Sequence, residues 1–439
     1  MQTKRLIAAG PLYARLPRGP HRLGRRAVLL NQRARLHGAM IEAVAEAGYE
    51  ATSVKRVIAL AGVSRRAFYE QFANRQDCFL ATFDAIAAHA FSRARSACLA
   101  ADGSRDRRLR AAFGALARDA AAHPAAATLV AVEIETCGLA GVARLRRVGA
   151  SCEPALARAL WREPAPVPAP LVRGVVGGVH AIIAAHLTLE GARPRSSLPD
   201  ALLAWTLPFA AGLAPSQAAQ MAREAAAVLR EASAAPVSRA PASPRHAPEH
   251  RALQRAALRL AALGEFRDVA PARIADEARV PVESFHASFA DPDACFATGL
   301  EELACELLES VEEPLASADS WPACVRDAVG ALLAHLVDQP LSAHTISRGA
   351  FSVGAPAVRR NRALARAIAA RLLRDAPADC APALIDGAAG ALWHTIGCQV
   401  AGGRAQLLPA LRDYLTYLLI TPALGAESAA ELGASRALD

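Results

Sequence analysis

Arg65, Arg66, Tyr69, Gln71 and Arg75 lie close together in a chain of 439 residues. Their chemistry is that of binding. Arginine can present two parallel N–H donors to guanine, and glutamine can pair with adenine through both amide atoms in the major groove. A tyrosine hydroxyl or a guanidinium can also donate to a phosphate oxygen. Catalysis would need other groupings. The chain has no GxSxG, no HExxH, no phosphate loop and no His/Cys/Asp/Glu grouping with metal spacing, so no catalytic residue, cofactor or metal site is expected.

These side chains need a short helix with an apolar back. Ala61-Gly62 ends one helix, Val63 is an apolar turn residue, and the Ser64 hydroxyl is suited to accept from the first N–H groups of the next. That helix begins Arg65-Arg66-Ala67. Phe68 and Phe72, four apart, share its inner face, which leaves Arg65, Arg66, Tyr69 and Gln71 for the others. Upstream, Leu36, Met40, Ile41, Val44 and Ala45 have the helical period up to Gly48, and Tyr49 follows as an anchor. Thr52-Ser53 can cap a helix over 54–60, and Asn74 can cap a longer one running through Phe79, Leu80, Phe83 and Ile86. Three short helices feeding a long one make a helix-turn-helix head.

Gly48-Tyr49, Thr52-Ser53-Val54, Ala61 to Arg66, Phe68-Tyr69, Phe72 and Cys78-Phe79-Leu80 together resemble the DNA-binding head of the TetR/AcrR transcriptional regulators, in one ungapped stretch. Arg75 stands where that family usually has Lys, and Gln76 where it usually has Glu. The resemblance implies an all-α fold and double-stranded operator DNA as partner. It also implies contact residues at Thr52, Ser53, Ser64, Arg65, Arg66, Ala67, Tyr69, Gln71 and Arg75, and most commonly repression relieved by a small, largely apolar effector. Which arginine reads a base and which holds phosphate stays open.

Composition agrees with helices and with a local polyanion contact. Apolar residues make up 53 %, with few aromatics. The formal net charge is +9, yet residues 1–75 alone hold fourteen Lys/Arg and four Glu, a net of +10, leaving −1 for the remainder. Nine cysteines without a CxxC pair read as buried, reduced thiols of a cytosolic protein, with redox sensing as the alternative. With operator DNA as partner, the expected localisation is cytoplasmic and nucleoid-associated. No membrane span is expected, the nearest apolar stretch, 175–187, being short and interrupted by His180 and His186.

Downstream the pattern stays helical, with segments expected over 109–120, 128–135, 171–187 and 202–213. Gly174, Gly177 and Gly178 permit close helix approach, for packing, dimerisation or a pocket, of which packing or dimerisation is favoured. His180 and His186, with Trp393 later, are the candidate effector contacts. Residues 231–249 carry four prolines and read as a linker.

After the linker the head pattern returns, at one constant offset and without a gap. Phe266, Ile274, Val280, Phe285, Phe289 and Cys295-Phe296 fall on Tyr49, Val57, Val63, Phe68, Phe72 and Cys78-Phe79. Further on, at a slightly smaller offset, Gly387 and Gly390 match Gly174 and Gly177. The polar front differs: Val282 and Glu283 replace Arg65 and Arg66, His286 replaces Tyr69, Ser288 replaces Gln71, and Pro292 replaces Arg75. The window 33–75 has a net charge of +3 and the window 250–292 a net of zero. The second head is therefore expected to keep its fold and lose DNA contact.

The expected organisation is a basic flexible arm over 1–30, a head over 31–84 and a helical effector and dimerisation domain over 85–230. The linker over 231–249 leads to a degenerate head over 250–300, a second effector and dimerisation domain over 301–422 and a tail over 423–439. The two units pair either within the chain, as an intramolecular pseudo-dimer, or with another copy as a homodimer. The competing functional class is an effector-sensing or protein-interaction module without specific DNA binding.

Overall fold

The computed structural model describes residues 25–161, 167–188, 197–211, 248–317, 320–377, 382–426 and 429. Most of the expected arm (1–24), most of the linker (231–247) and most of the tail (427 onward, apart from Ala429) lie outside the described residues. Every regular element among those described is a helix. The described residues divide into two compact units, those within 1–148 and 183–199, and those within 149–182 and 200–439. The region 85–230, expected as one domain, is thus shared between two units.

In the first unit, α1 (Arg25–Ala51) is followed by α2 (Val54–Ala61), α3 (Arg65–Tyr69) and α4 (Arg75–Ala100). The last six positions assigned to the arm are therefore helical. Gly48, at φ 76° and ψ 166°, breaks α1 near its end and lets the chain turn so that Tyr49 reaches the interior. α5 (Arg105–Ala122) lies against α4, and α6 (Pro124–Ala131) leads through a 3-10 turn, Glu133–Cys137, into α7 (Leu139–Leu160). Leu36, Met40, Tyr49, Val57, Phe68, Phe72, Phe79 and Phe83 form one buried core with Leu129 and Ile134. The apolar period read along α1 is thus the face that meets α4 and α6.

His37 sits inside that core. Its Nδ1 lies 2.7 Å from Thr82 Oγ1. The Thr82 hydroxyl hydrogen goes to Cys78 O at 2.7 Å, so the imidazole must be the donor, as the neutral Nδ1–H tautomer. Burial, and next the Arg33 charge, hold the His37 pKa down to about 4. Burial likewise pushes the Cys78 and Cys295 thiols up to about 12, which makes them inert core residues.

The second unit takes the end of α7, most of α8 (Ala169–Thr188) and α9 (Leu198–Thr206), and then all elements after the linker. These begin with α10 (Pro248–Leu263), α11 (Pro271–Ala278), α12 (Val282–Ser288) and α13 (Pro292–Ser317). α14 (Trp321–Asp338), α15 (Pro340–His344), a π-turn at Thr345–Gly349, α16 (Ala350–Val353), α17 (Ala355–Leu372), α18 (Pro382–Ala401) and α19 (Arg412–Leu424) complete it.

The local bonding of α1–α4 recurs in α10–α13. Gly62 N–H donates to Ala59 O and Val63 N–H to Ile58 O; at the equivalent positions Arg279 N–H donates to Asp276 O and Val280 N–H to Ala275 O. Both caps are left-handed, at φ 58° for Gly62 and φ 59° for Arg279. Phe68 and Phe72 stand 5.8 Å apart, and Phe285 and Phe289 stand 5.7 Å apart. Arg33 covers the Phe72 ring at 4.6 Å, and His250, at the same place in the later segment, stacks on Phe289 at 4.5 Å.

α8 corrects one expectation. At 20 residues it is long and apolar enough, by length and composition, to cross a membrane, because its helix starts before Val175. Within the second unit its Gly174, Gly177 and Gly178 are in contact with Leu418, Gly390 and Trp205, the packing of a core helix.

Candidate nucleic-acid interface

The site is built on three local stops. Ser53 caps α2, its hydroxyl accepting from Arg56 N–H at 3.1 Å. Gly62, in the left-handed region, ends α2 and turns the chain. Ser64 caps α3, accepting from Ala67 N–H at 3.1 Å. The turn is also held from the far side of the head. Arg35, 9 % exposed on α1, donates to Gly62 O at 2.8 Å and to Ala61 O. Nothing in the sequence singled out Arg35, because the carbonyls that it serves are 26 and 27 residues away.

On α3 the buried side is Ala67 and Phe68, and the exposed side is Arg65, Arg66 and Tyr69. Tyr69 is 47 % exposed, and the Arg65 guanidinium stands 5.8 Å from its ring centroid. The Arg66 side chain is 89 % exposed and pairs with Glu70 at 3.0 Å. An ion pair this exposed holds its partners weakly, so Arg66 can exchange Glu70 for another anion or a base edge. Ser53, Lys55 and Ser64 are exposed around this helix. Lys55 is an addition to the residues expected from the sequence.

Four of the expected contact residues point elsewhere. Ala67 has its methyl in the core and serves as the donor to the Ser64 cap. Thr52 is 2 % exposed, its hydroxyl donating to Gly48 O at 2.8 Å and its N–H to Tyr49 O at 3.2 Å. Both of these groups close the α1–α2 turn. The Gln71 amide donates to Leu29 O at 2.9 Å, tying the end of α3 back to α1. Arg75 donates to Glu50 O at 3.0 Å and to Thr52 O, with its guanidinium 4.5 Å from the centroid of the Tyr49 ring. This arrangement braces the turn before α2.

A second brace comes from the 3-10 turn. Glu133 Oε2 accepts from Tyr49 N–H at 3.0 Å, and Gln76 Nε2 donates to Cys137 O at 3.3 Å. The start of α4 carries a reciprocal cap, with Asp77 N–H donating to Asn74 Oδ1 at 2.9 Å and Ala73 N–H to Asp77 Oδ2 at 3.0 Å. The head is thereby fixed in the pose that presents α3.

The corresponding face of the second unit has a different charge. Glu283 and His286 are exposed on α12, and Asp291 caps α13 in place of Asn74. Of its arginines, Arg259 pairs with Glu277 at 3.0 Å, and Arg273 lies 3.6 Å from Glu265 and 3.7 Å from Glu277. Among the candidate effector contacts, Trp393 is half-buried and donates its indole N–H to Asn361 Oδ1 at 3.1 Å. Asn361 is itself buried and donates to Ile346 O at 2.9 Å, so this end of Trp393 belongs to a packing network. His180 and His186 are half-buried on α8.

A short capped helix, set after a left-handed turn with its apolar side buried and its cationic side out, defines a helix-turn-helix DNA-binding head. Residues 39–90 match the family described as bacterial regulatory proteins, tetR family. The match is confined to the first head, the part of the chain that carries the helix-turn-helix, and supports DNA binding there. No curated protein matches the chain.

Proposed function

We propose that the chain is a sequence-specific transcriptional regulator in which the first head makes the DNA contacts. The observation that carries this reading is α3, where Arg65, Arg66 and Tyr69 face outward over the buried Ala67 and Phe68. Arg65 and Arg66 reach base edges or phosphates, Tyr69 donates to a phosphate, and Ser53, Lys55 and Ser64 supply the flanking phosphate contacts. Thr52, Gln71 and Arg75 act by holding α1, α2 and α3 in register.

The recurrence of the left-handed cap and the aromatic pair after the linker supports a second, tandem head. Its exposed Glu283 opposes a phosphate backbone, and its Arg259 and Arg273 already have carboxylate partners. It therefore keeps the fold without strong DNA contact. From the resemblance comes the regulatory part of the proposal: repression, released when a small, largely apolar effector favours a conformation that binds DNA less well. His180 and His186 are the proposed effector contacts, and Trp393 is a packing residue.

Fluorescence anisotropy on DNA from immediately upstream of the chain's own gene, beside an unrelated duplex and at two salt concentrations, tests the reading. Tight binding to the upstream DNA alone, weakening with salt, supports it. The log–log salt slope should steepen by roughly 0.9 for each phosphate contact. Equal, weak binding to both duplexes would favour a sensor module without specific DNA recognition.

A further inference from the structure

The helices α8 and α18 meet at glycines, and they meet reciprocally. A Cβ built on Gly177 would stand 2.7 Å from Gly390 O and 2.6 Å from His394 Cβ. One built on Gly390 would stand 2.4 Å from Gly177 O and 2.4 Å from Ala181 Cβ. The same reciprocity holds one turn away. A Cβ on Gly174 would meet Leu418 Cδ1 at 2.2 Å, and one on Gly387 would meet Trp205 Cε3 at 2.6 Å.

These contacts obey one rule. Gly390 follows Gly177 by the same interval at which His394 follows Ala181, Gly387 follows Gly174 and Leu418 follows Trp205. Each later residue is therefore the repeat equivalent of the earlier one. Gly177 touches its own equivalent. It also touches the equivalent of Ala181, while Ala181 touches the equivalent of Gly177. Gly174 and Trp205 exchange partners in the same way. Contact of i with j matched by contact of j with i is the signature of an isologous, two-fold interface. All eight residues belong to the second compact unit, and both sides of the interface come from one polypeptide.

From this we infer that the chain carries a dimer interface closed within itself and, resting on the DNA-binding reading above, that its DNA target is a single non-palindromic half-site bound by one chain. A palindromic operator mirrors a protein with two equivalent reading heads related by a two-fold axis. Here the face that would recruit a second copy is filled by α18 and α19. A glycine at each crossing point lets the backbones touch, so a further helix has no room there. Only one of the two heads has a cationic recognition helix. The self-complementary face is thus spent inside a molecule whose heads are chemically unequal, and symmetry in the DNA has no counterpart in the protein.

The test is selection of bound duplexes from a random-sequence library by the purified full chain, followed by native mass spectrometry of the complex with the enriched duplex. The expected result is one motif without two-fold symmetry and a complex holding a single 45.9 kDa chain. On that duplex Arg66→Glu should lose about tenfold or more in affinity, while Glu283→Arg should leave it unchanged within about twofold. Both residues are exposed, so neither change disturbs the core. An enriched palindrome holding two chains would overturn the inference and leave the DNA-binding reading standing. A palindrome holding one chain, with Glu283→Arg altering affinity as much as Arg66→Glu, would overturn it by showing that both heads read. Failure to enrich any sequence would overturn the DNA-binding reading itself, and the inference with it.

Discussion

Gly177→Ala places a methyl group where two backbones cross. In an ordinary helix the change from glycine to alanine stabilises by about 1 kcal/mol. At residue 177 the new carbon would stand 2.7 Å from a backbone oxygen and 2.6 Å from His394 Cβ, well inside van der Waals contact. Neither neighbour is the free end of a flexible side chain, so α8 and α18 must separate. Overpacking of this kind costs about 1–3 kcal/mol, and here it opposes and exceeds the propensity gain. We expect a net loss of about 1 kcal/mol, read by differential scanning calorimetry as a fall in Tm of roughly 1–2 °C. Gly114→Ala is the control. Its Cβ would meet only the guanidinium end of Arg118, with Nη1 at 3.2 Å, the movable tip of a long side chain. It should gain up to about 1 kcal/mol. The double change Gly177→Ala with Gly390→Ala should cost less than the two single changes together, because one separation of the helices admits both methyl groups. If Gly177→Ala raised Tm as Gly114→Ala does, the close crossing, and the closed interface built on it, would be refuted.

Other perturbations act on the heads. His37 is held neutral down to about 4 in the folded chain, whereas an unfolded histidine takes its proton near 6.5. Its contribution to stability is therefore complete above pH 6.5 and is lost as pH falls toward 4, by about 1.4 kcal/mol for each pH unit. Chemical denaturation over this range should show a shallower dependence, by one proton, in His37→Gln, and an unchanged slope would refute the assignment. Glu133→Ala removes the acceptor of Tyr49 N–H and should lower the denaturation free energy by about 1–3 kcal/mol, most of which Glu133→Gln should restore because it keeps an acceptor oxygen. An unaltered denaturant midpoint in Glu133→Ala would show that this brace is idle. Arg279 holds a left-handed conformation at φ 59°. Arg279→Gly should therefore stabilise by about 0.5–1 kcal/mol, and a lower Tm would mean that the arginine side chain outweighs its backbone strain.

What could be read in the sequence was what is decided within a few residues. Ser53, Ser64 and Asn74 cap the helices that follow them, because a capping side chain bonds three positions away on its own stretch of chain. Gly48 and Gly62 take the positive φ that only glycine adopts freely. Burial of Phe68 and Phe72 followed from their four-residue spacing. The helix expected over 171–187 runs from Ala169 to Thr188, and its apolar character begins ahead of Val175.

Side-chain partners far along the chain were a different matter. Gln71 and Arg75 have the polarity of DNA ligands, and a sequence gives no sign that Leu29 O and Glu50 O stand within reach of them. A polar group bonds whatever acceptor the fold brings closest, and an acceptor 25 or 42 residues away is placed only by packing. The indole N–H of Trp393 likewise finds its acceptor, Asn361 Oδ1, on another helix. By itself the sequence determined the helices of the described residues and a capped cationic helix, since these rest on local spacing and composition. Only the tertiary structure decided which polar residues brace the head and which face outward, and that Gly177 meets Gly390. A contact between helices so far apart along the chain depends on how closely two backbones can approach once both are in place.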